Sequence, residues 1–340
     1  MSLADLAAAL VFLGVIAYAL FGGADFGSGV WDLAAGDARR GAPVRNLIDT
    51  SIGPVWEANH VWLIYVLVFL WTAFPMAFGA LMTTLFVPWL LVGLGIVLRG
   101  SGFAFRKYAE DLDSARLYGA LFAASSLVTP LFLGMIAGAI ASGRVPVEGG
   151  DLWTSWTGPT SWVGGILAVL TCAFLAATFL AADARKSGQL DLAAWCGRRA
   201  LATGVVTGAV ALVAIVPIRA DAETLADRLQ GRASPLVVLS ALAGAATLWL
   251  LWTGRYGLAR FGAVVAVATI VAGWGVAQYP DLLVDQLTIE EGAGADATLW
   301  ALIVTFGLAA VTAVPALVWL YVLVNQTRWH REPTRRLTKG

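Results

Sequence analysis

Three polar side chains suited to proton chemistry lie within one helical turn of the stretch PVWEANHVW, residues 54–62. Glu57 and His60 are three residues apart, and Trp56 and His60 are four apart, so in a helix these side chains share a face. A carboxylate and an imidazole each take up and release protons, and the amide of Asn59 can hold a water between them. The surrounding residues are apolar enough for a membrane interior, where an ionisable side chain is costly and is a functional candidate by default. The stretch therefore predicts part of a proton route.

A second acid, Asp25, lies within an apolar run in the stretch GGADFGSGVWDL. At about 1.5 Å per residue, Asp25 and Glu57 each lie roughly 15–20 Å along their helices from the nearest basic loop, so adjacent antiparallel helices would hold both acids at similar depth. A structural alternative stays open, in which Glu57 pairs with Arg99 or His60 and only fixes helix packing. No metal site is predicted, because no second histidine lies at ligand spacing from His60.

Arg99 and Arg106, in the stretch LRGSGFAFRK, are expected to be anchors that extend their charged ends to the membrane surface. The alternative is that they pair with Asp25, with Glu57 or with an anionic group of a partner. Trp56 and Trp62 lie deeper than the tryptophans of an interfacial belt. We expect these two to pack against a helix or a planar cofactor.

The composition of the chain is that of a membrane protein. Of the 340 residues, 59% are hydrophobic and 13% are charged, and the mean hydropathy is +0.78. A soluble protein of this composition would expose large apolar patches. The 22 basic and 22 acidic residues balance, so no polybasic face is available for nucleic acid. Cys172 and Cys196 lack the spacing of a redox or metal motif and are expected to be small buried side chains.

Nine apolar windows are long enough to cross about 30 Å of hydrocarbon as helices. They predict an all-α polytopic membrane protein with nine transmembrane helices, near residues 5–33, 50–74, 76–99, 116–141, 160–182, 196–218, 235–253, 258–278 and 298–325.

The basic residues predict the orientation of these helices. With the N-terminus outside and the C-terminus cytoplasmic, 18 of the 22 basic residues fall on the inner side. The predicted organisation is a four-helix bundle in residues 1–141, a second in residues 142–278, and a peripheral ninth helix with a basic cytoplasmic tail in residues 279–340. A weak echo between FGGAD, ending at Asp25, and FLAAD, ending at Asp183, is compatible with a parallel repeat of four helices.

The polar motifs resemble those of subunit II of the cytochrome bd-type quinol oxidases of bacterial respiratory chains. GADFGSGV is similar to the family's acidic Gly-Phe-Asp-x-Gly pattern, and SIGPVWEANHVWLI is similar to its Trp-acidic-Gly-Asn-x-Val-Trp signature. FPMAFGAL and LRGSGFAFR are similar to the segments that follow. The resemblance is detailed over the first third of the chain and weak over the rest.

This resemblance implies a subunit without catalytic residues of its own, bound in the bacterial inner membrane to a haem-bearing subunit I. That partner carries b- and d-type haems, oxidises quinol and reduces oxygen to water. Glu57 matches the acid on a route that takes cytoplasmic protons to the oxygen-reducing haem, and Asp25 matches the second acid of the helix 1 pattern. Trp62 matches a tryptophan near which an oxygen path lies in some members. Small single-helix accessory subunits and a structural quinone or lipid are left open.

The resemblance implies an oxidase with three haems, and the histidine count argues against haem on this chain. Three haems need several axial His or Met ligands, and only one of the two histidines lies within a predicted span. The chain alone therefore cannot be the oxidase.

Several positions depart from the family pattern. Gly22 stands in place of the first acid of the helix 1 pattern and Ala24 in place of its aromatic residue. In the helix 2 signature, Ala58 replaces the glycine and His60 replaces an amide-type residue, which adds a titratable group. The segment 103–106, FAFR, lacks an acid that some members have there. The helix 1 changes at Gly22 and Ala24 predict that the inner entry of the proton route is rebuilt.

Two other functions would use the same helices. A stand-alone secondary transporter would explain a repeat and carboxylates at mid-membrane depth, but helices 4 to 9 offer no second polar set for a substrate site. A purely structural scaffold for the haem subunit shares the fold and the partner but makes Glu57 dispensable.

Overall fold

Long apolar runs form the helices that dominate the structure, which is a computed structural model describing residues 2–37, 39–52, 56–106, 108–109 and 111–325. Apart from one short hairpin, the regular elements of these residues are helical. The helices are α1 Leu3–Ala34, α2 Ala42–Ile52, α3 Trp56–Ala73, α4 Pro75–Thr84, α5 Phe86–Arg106, α6 Leu112–Ala141, α7 Pro159–Lys186, α8 Leu190–Asp221, α9 Glu223–Gln230, α10 Ser234–Trp252, α11 Tyr256–Gln278, α12 Ile289–Gly292 and α13 Asp296–Asn325. The hairpin pairs β1, Asp281–Leu283, with β2, Leu287–Thr288, in antiparallel fashion.

The membrane character predicted from the sequence is confirmed. Within the described ranges, eight helices are long and apolar enough to cross a membrane. The count rises to nine if α2 and α3, whose axes differ by 55°, form a single bent span. Pro54 and Val55 of the polar motif lie outside the described residues, as do Lys107 and the basic tail with His330. The predicted orientation and the division into two bundles stay predictions.

The third predicted span, residues 76–99, is wrong as a single helix. The chain forms α4, which ends at Thr84, and then α5, which begins at Phe86 and continues to Arg106. Pro88 explains the break, because it has no N–H to bond the carbonyl of Thr84 four residues earlier and its ring would clash with that carbonyl. The membrane span is therefore α5, which places Arg99 well inside a helix of 21 residues rather than at its end.

Helix α1 packs against α3, α6, α7 and α11. Glycines on α1 make this close approach possible: a Cβ at Gly27 would overlap the carbonyl of Cys172 on α7, and a Cβ at Gly29 would overlap the side chain of Ser126 on α6. The indole of Trp31 donates a hydrogen bond of 2.8 Å to the carbonyl of Ala173 on α7. Helix α1 therefore carries its polar residues into the interior of the helix assembly.

Candidate functional site

Asp25 and Arg99 form a buried ion pair between α1 and α5. Arg99 Nη2 donates to Asp25 Oδ1 at 2.9 Å, and Nη1 donates to Oδ2 at 3.1 Å. Nη2 also donates to the Asp25 backbone carbonyl at 3.0 Å, and Nε donates to Ser126 Oγ on α6 at 3.0 Å. The side-chain exposure is 1% for Arg99 and 0% for Asp25. This bidentate pairing lets each charge compensate the other where water is excluded.

Aromatic rings surround this ion pair. The guanidinium carbon of Arg99 lies 5.2 Å from the ring centre of Phe26 and 4.8 Å from that of Phe122. Phe122 is also 5.3 Å from the guanidinium carbon of Arg106, so its ring contacts two cations. A ring face attracts a cation, and the attraction grows when water is absent. The rings therefore hold the guanidinium in place while keeping its surroundings apolar.

His60 on α3 lies against two polar groups of α1. Its Nδ1 is 3.3 Å from the hydroxyl of Tyr18, and its Nε2 is 4.0 Å from Asp25 Oδ2. The imidazole also contacts the rings of Phe26 and Trp56, at centroid distances of 5.7 and 6.3 Å. The side chain of His60 is 14% exposed. One imidazole thus connects a phenol and a carboxylate that lie seven residues apart on α1.

We call the residues Tyr18, Asp25, His60, Arg99 and Ser126 the Asp25 cluster. A second group, the Asp32 cluster, consists of Asp32, Arg45, Asp49 and Arg106. Arg106 pairs with Asp32 and donates to Asp49 Oδ1 at 2.9 Å. Arg45 Nε donates to Asp32 Oδ1 at 2.7 Å. Asp32 is 4% exposed and Asp49 is 34% exposed, so this cluster runs from the protein interior towards its surface.

The other residues predicted for the site are placed as follows. Glu57 lies on α3, one turn before His60, and is exposed on the isolated chain, whereas Asn59 is buried. Trp56 contacts Phe103 as well as His60, with a ring-centre distance of 5.7 Å to Phe103. Trp62 packs against a small core that includes Tyr18 and Phe26. Both tryptophans therefore contact side chains of this chain.

The expectation that Arg99 is a surface anchor is wrong. Its guanidinium is buried, and the partner is Asp25, which was the alternative from the sequence. Arg99 does not pair with Glu57, because the carboxylate it reaches lies on α1. Arg106 is also paired, but with Asp32 and Asp49, which the sequence did not single out.

Sequence reasoning missed Tyr18, Asp32 and Ser126. A signal for Asp32 was present, because Asp25 and Asp32 are seven residues apart on α1 and Arg99 and Arg106 are seven apart on α5. Seven residues are two helical turns, about 10.5 Å, so equal spacing lets two parallel helices form two successive ion pairs. Within the described residues, no group of three or more His, Cys, Asp and Glu could hold a metal ion. Cys172 and Cys196 are buried free thiols, as predicted.

Comparison with known proteins decides the family. The sequence profile of the family described as cytochrome bd terminal oxidase subunit II matches residues 3–324. The chain belongs to this family. It is 23% identical to the cytochrome bd ubiquinol oxidase subunit 2 of Bacillus subtilis (strain 168), over 98% of each chain. It is 29% identical to the cytochrome bd-I ubiquinol oxidase subunit 2 of Escherichia coli (strain K12), over 60% of this chain and 53% of that protein.

A solved structure has the same fold. The bd oxidase from Geobacillus thermodenitrificans contains a chain that superposes with a TM-score of 0.75 at 24% identity, covering 95% of this chain and 98% of that one. The resemblance inferred from the helix 1 and helix 2 motifs is therefore confirmed. This subunit II is a multi-pass protein of the bacterial inner membrane and part of a quinol oxidase complex, in a family whose haems belong to the partner subunit.

Proposed function

We propose that this subunit II supports the haem-bearing subunit I in quinol oxidation and in the reduction of oxygen to water, and that it contributes a proton route to that reaction. The route contains Glu57, Asp25, His60 and Asn59. The proposal includes the orientation predicted from the basic residues, with the N-terminus outside and the C-terminus cytoplasmic. It also includes the predicted arrangement in two four-helix bundles.

The observation that carries the proposal is the contact of His60 with Asp25 inside a membrane-spanning assembly. The separation of 4.0 Å between Nε2 and Oδ2 is ion-pair distance and longer than a direct hydrogen bond, so proton transfer between the two groups needs one bridging water. Ionisable groups in membrane spans are rare because they are costly, and they mark ion and proton pathways. A helix-packing role explains the Asp25–Arg99 pair but does not require an imidazole beside it.

The position of Glu57 suits an entry point to this route. Its side chain is exposed on the isolated chain, one turn of α3 from His60, where water or the partner subunit can reach it. In the predicted orientation α3 runs from inside to outside, so Glu57 lies on the cytoplasmic side of His60. A proton taken up at Glu57 passes to His60, which lies 4.0 Å from the carboxylate of Asp25. Asn59, buried on α3 next to His60 in the sequence, completes the proposed route.

The test is the substitution Glu57→Gln in the assembled oxidase. Removing the acid while keeping its shape and polarity should lower the quinol oxidase rate about tenfold, because positioned proton transfer contributes at least that much in enzymes. The haem absorbance spectrum should be unchanged, because no haem ligand is lost. Rate, proton uptake and spectrum are measured on the same purified complex.

The matched control is Glu290→Gln, which removes an exposed glutamate of α12 outside the predicted membrane spans. It should leave the oxidase rate within about twofold of that of the unmodified complex, as surface substitutions generally do. If Glu57→Gln and Glu290→Gln are equally active, the proton route is refuted. The subunit would then be a purely structural scaffold for the haem-bearing subunit.

A further inference from the structure

The Tyr18 hydroxyl is a buried polar group on α1 that the proposed route does not use. The residue is 8% exposed, and its ring packs edge-on against Phe26 in a small core with Leu63 and Cys172. A phenol hydroxyl in such surroundings needs a hydrogen-bond partner, because leaving it unpaired costs about 1–3 kcal/mol. The partner in the described chain is Nδ1 of His60, at 3.3 Å.

His60 therefore has a polar group at each ring nitrogen. Tyr18 lies at Nδ1 and Asp25 at Nε2, and both come from α1, two turns apart. In a neutral imidazole one nitrogen carries a proton and donates, and the other accepts. The hydrogen-bond partner at one nitrogen therefore determines whether the other nitrogen is protonated. The hydrogen bond to Tyr18 orients the ring of His60, and the carboxylate of Asp25 lies on its other side, so the imidazole stands between the two groups.

We propose that Tyr18 positions His60 and carries the proton onward from Nδ1, towards the end of α1 at Leu3. This inference rests on the proposed proton route and extends it by one residue. A proton bound at Nε2 makes the imidazole doubly protonated. The Nδ1 proton then passes to the Tyr18 oxygen, while the Tyr18 hydroxyl proton leaves to a water molecule beyond it. The phenol and the imidazole both end neutral and one proton has moved. The imidazole returns to its starting tautomer when Nε2 releases its proton to water and Nδ1 takes one up from water.

The local packing supports this role for Tyr18. A Cβ at Gly22, one turn further along α1, would lie 2.7 Å from the Tyr18 ring, so the absence of a side chain at Gly22 leaves room for the ring. The titratable and charged groups near the imidazole are Glu57 one turn away on α3, Tyr18 and Asp25 from α1, Arg99 from α5 and, beside Tyr18, Cys172 from α7. Arg99 is held by Asp25 and Ser126, and Cys172 is a buried thiol. Tyr18 is the group among them that contacts Nδ1.

The test compares Tyr18→Phe with Tyr65→Phe in the purified oxidase complex. Tyr65 also directs its hydroxyl at α1, but it donates to the backbone carbonyl of Leu10 at 2.9 Å and is a matched structural control. Tyr18→Phe should lower the quinol oxidase rate and proton uptake about tenfold, with an unchanged haem spectrum. Tyr65→Phe should leave the rate within about twofold.

A double substitution distinguishes positioning through His60 from packing. If Tyr18 acts through His60, adding Tyr18→Phe to His60→Gln should change the rate no further, whereas independent packing effects would multiply. The dependence of the rate on pH should change in Tyr18→Phe and His60→Gln alike, and a loss of packing alone would not change it. Multiplying effects, or an unchanged pH profile in Tyr18→Phe, would overturn the proposal.

The outcomes for Tyr18 and Glu57 are separable. Full activity of Tyr18→Phe together with impaired Glu57→Gln would refute the role of Tyr18 and leave the proton route intact. Full activity of both Glu57→Gln and His60→Gln would refute the proposed proton route itself. If Tyr18→Phe does not assemble, the phenol is still testable through Tyr18→Trp. The indole of that variant has an N–H donor but cannot accept the Nδ1 proton, so full activity of Tyr18→Trp would contradict the proposal.

Discussion

Asp25 and Asp183 are each the last residue of a similar five-residue stretch, one in each half of the chain, and their environments differ. Asp25 ends FGGAD on α1 and pairs with Arg99, and Asp183 ends FLAAD on α7 and pairs with Arg260 at 2.7 Å. Each arginine also donates to a backbone carbonyl of the acid's own helix and lies against a phenylalanine of that helix. The first pair is buried, whereas the side chains of Arg260 and Asp183 are 31% and 24% exposed.

The difference separates a structural pairing from a candidate for chemistry. Arg260 and Asp183 connect α11 to α7 and stay partly exposed on the chain, so their ion pair contributes less than a buried one and needs no further explanation. The Asp25–Arg99 pair is desolvated, and it has an imidazole and a phenol beside it. Burial makes the first pair costly to break, and the imidazole and the phenol beside it are the groups that the proposed proton route uses.

The largest expected effect is that of Arg99→Leu on stability. Removing one partner of a buried ion pair leaves the other charge uncompensated, so we expect a loss of about 3–5 kcal/mol. Arg260→Leu, the matched change at the partly exposed pair, should cost about 0–1 kcal/mol. Thermal unfolding of the purified complex, followed by haem absorbance, measures the apparent stability of each variant.

The double variant Asp25→Leu/Arg99→Leu serves as the control for this comparison. Removing both charges of a buried pair is often close to neutral, so much of the stability lost in Arg99→Leu should return. Equal stability of Arg99→Leu and Arg260→Leu would show that burial does not distinguish the two pairs.

Part of this comparison could be predicted from the sequence. Apolar windows of about 20 residues fix the membrane spans, because a helix must be that long to cross the hydrocarbon. The PVWEANHVW and GGADFGSGVWDL motifs predict Asp25 and His60 as candidate site residues, and the structure places these two side chains 4.0 Å apart. The family followed from those same residues.

The pairing of Arg99 could not be settled from the sequence alone. A short distance from a basic loop is typical of a surface anchor, and only the packing of α1, α5 and α6 shows which carboxylate the guanidinium reaches. The misplaced third span contributed to the error, since a helix ending at residue 99 places the arginine at the membrane surface. Pro88, four residues after Thr84, was the local signal that α5 begins at Phe86.

A smaller effect is expected at the Asp32 cluster, which is intermediate between the two pairs. Arg106→Leu removes the partner of Asp32 and Asp49, but Asp32 keeps the hydrogen bond from Arg45 at 2.7 Å. We therefore expect a loss of about 1.5–3 kcal/mol, typical of a hydrogen bond to a charged group. The same thermal unfolding assay should rank Arg106→Leu between Arg99→Leu and Arg260→Leu. A loss as large as that of Arg99→Leu would show that Arg45 does not compensate for the missing guanidinium.

The smallest expected effect concerns the rings that contact the arginines. Phe122 is fully buried and lies near the guanidinium carbons of both Arg99 and Arg106, whereas Phe179 is half-buried and contacts Arg260 at 4.7 Å. Phe122→Leu should cost about 1–2 kcal/mol, because it removes two desolvated cation–π contacts. Phe179→Leu should cost about 0.5 kcal/mol, because it removes one contact that water weakens. Equal unfolding midpoints for the two variants would mean that the rings contribute packing alone, and the two pairs would then differ only in the burial of their charges.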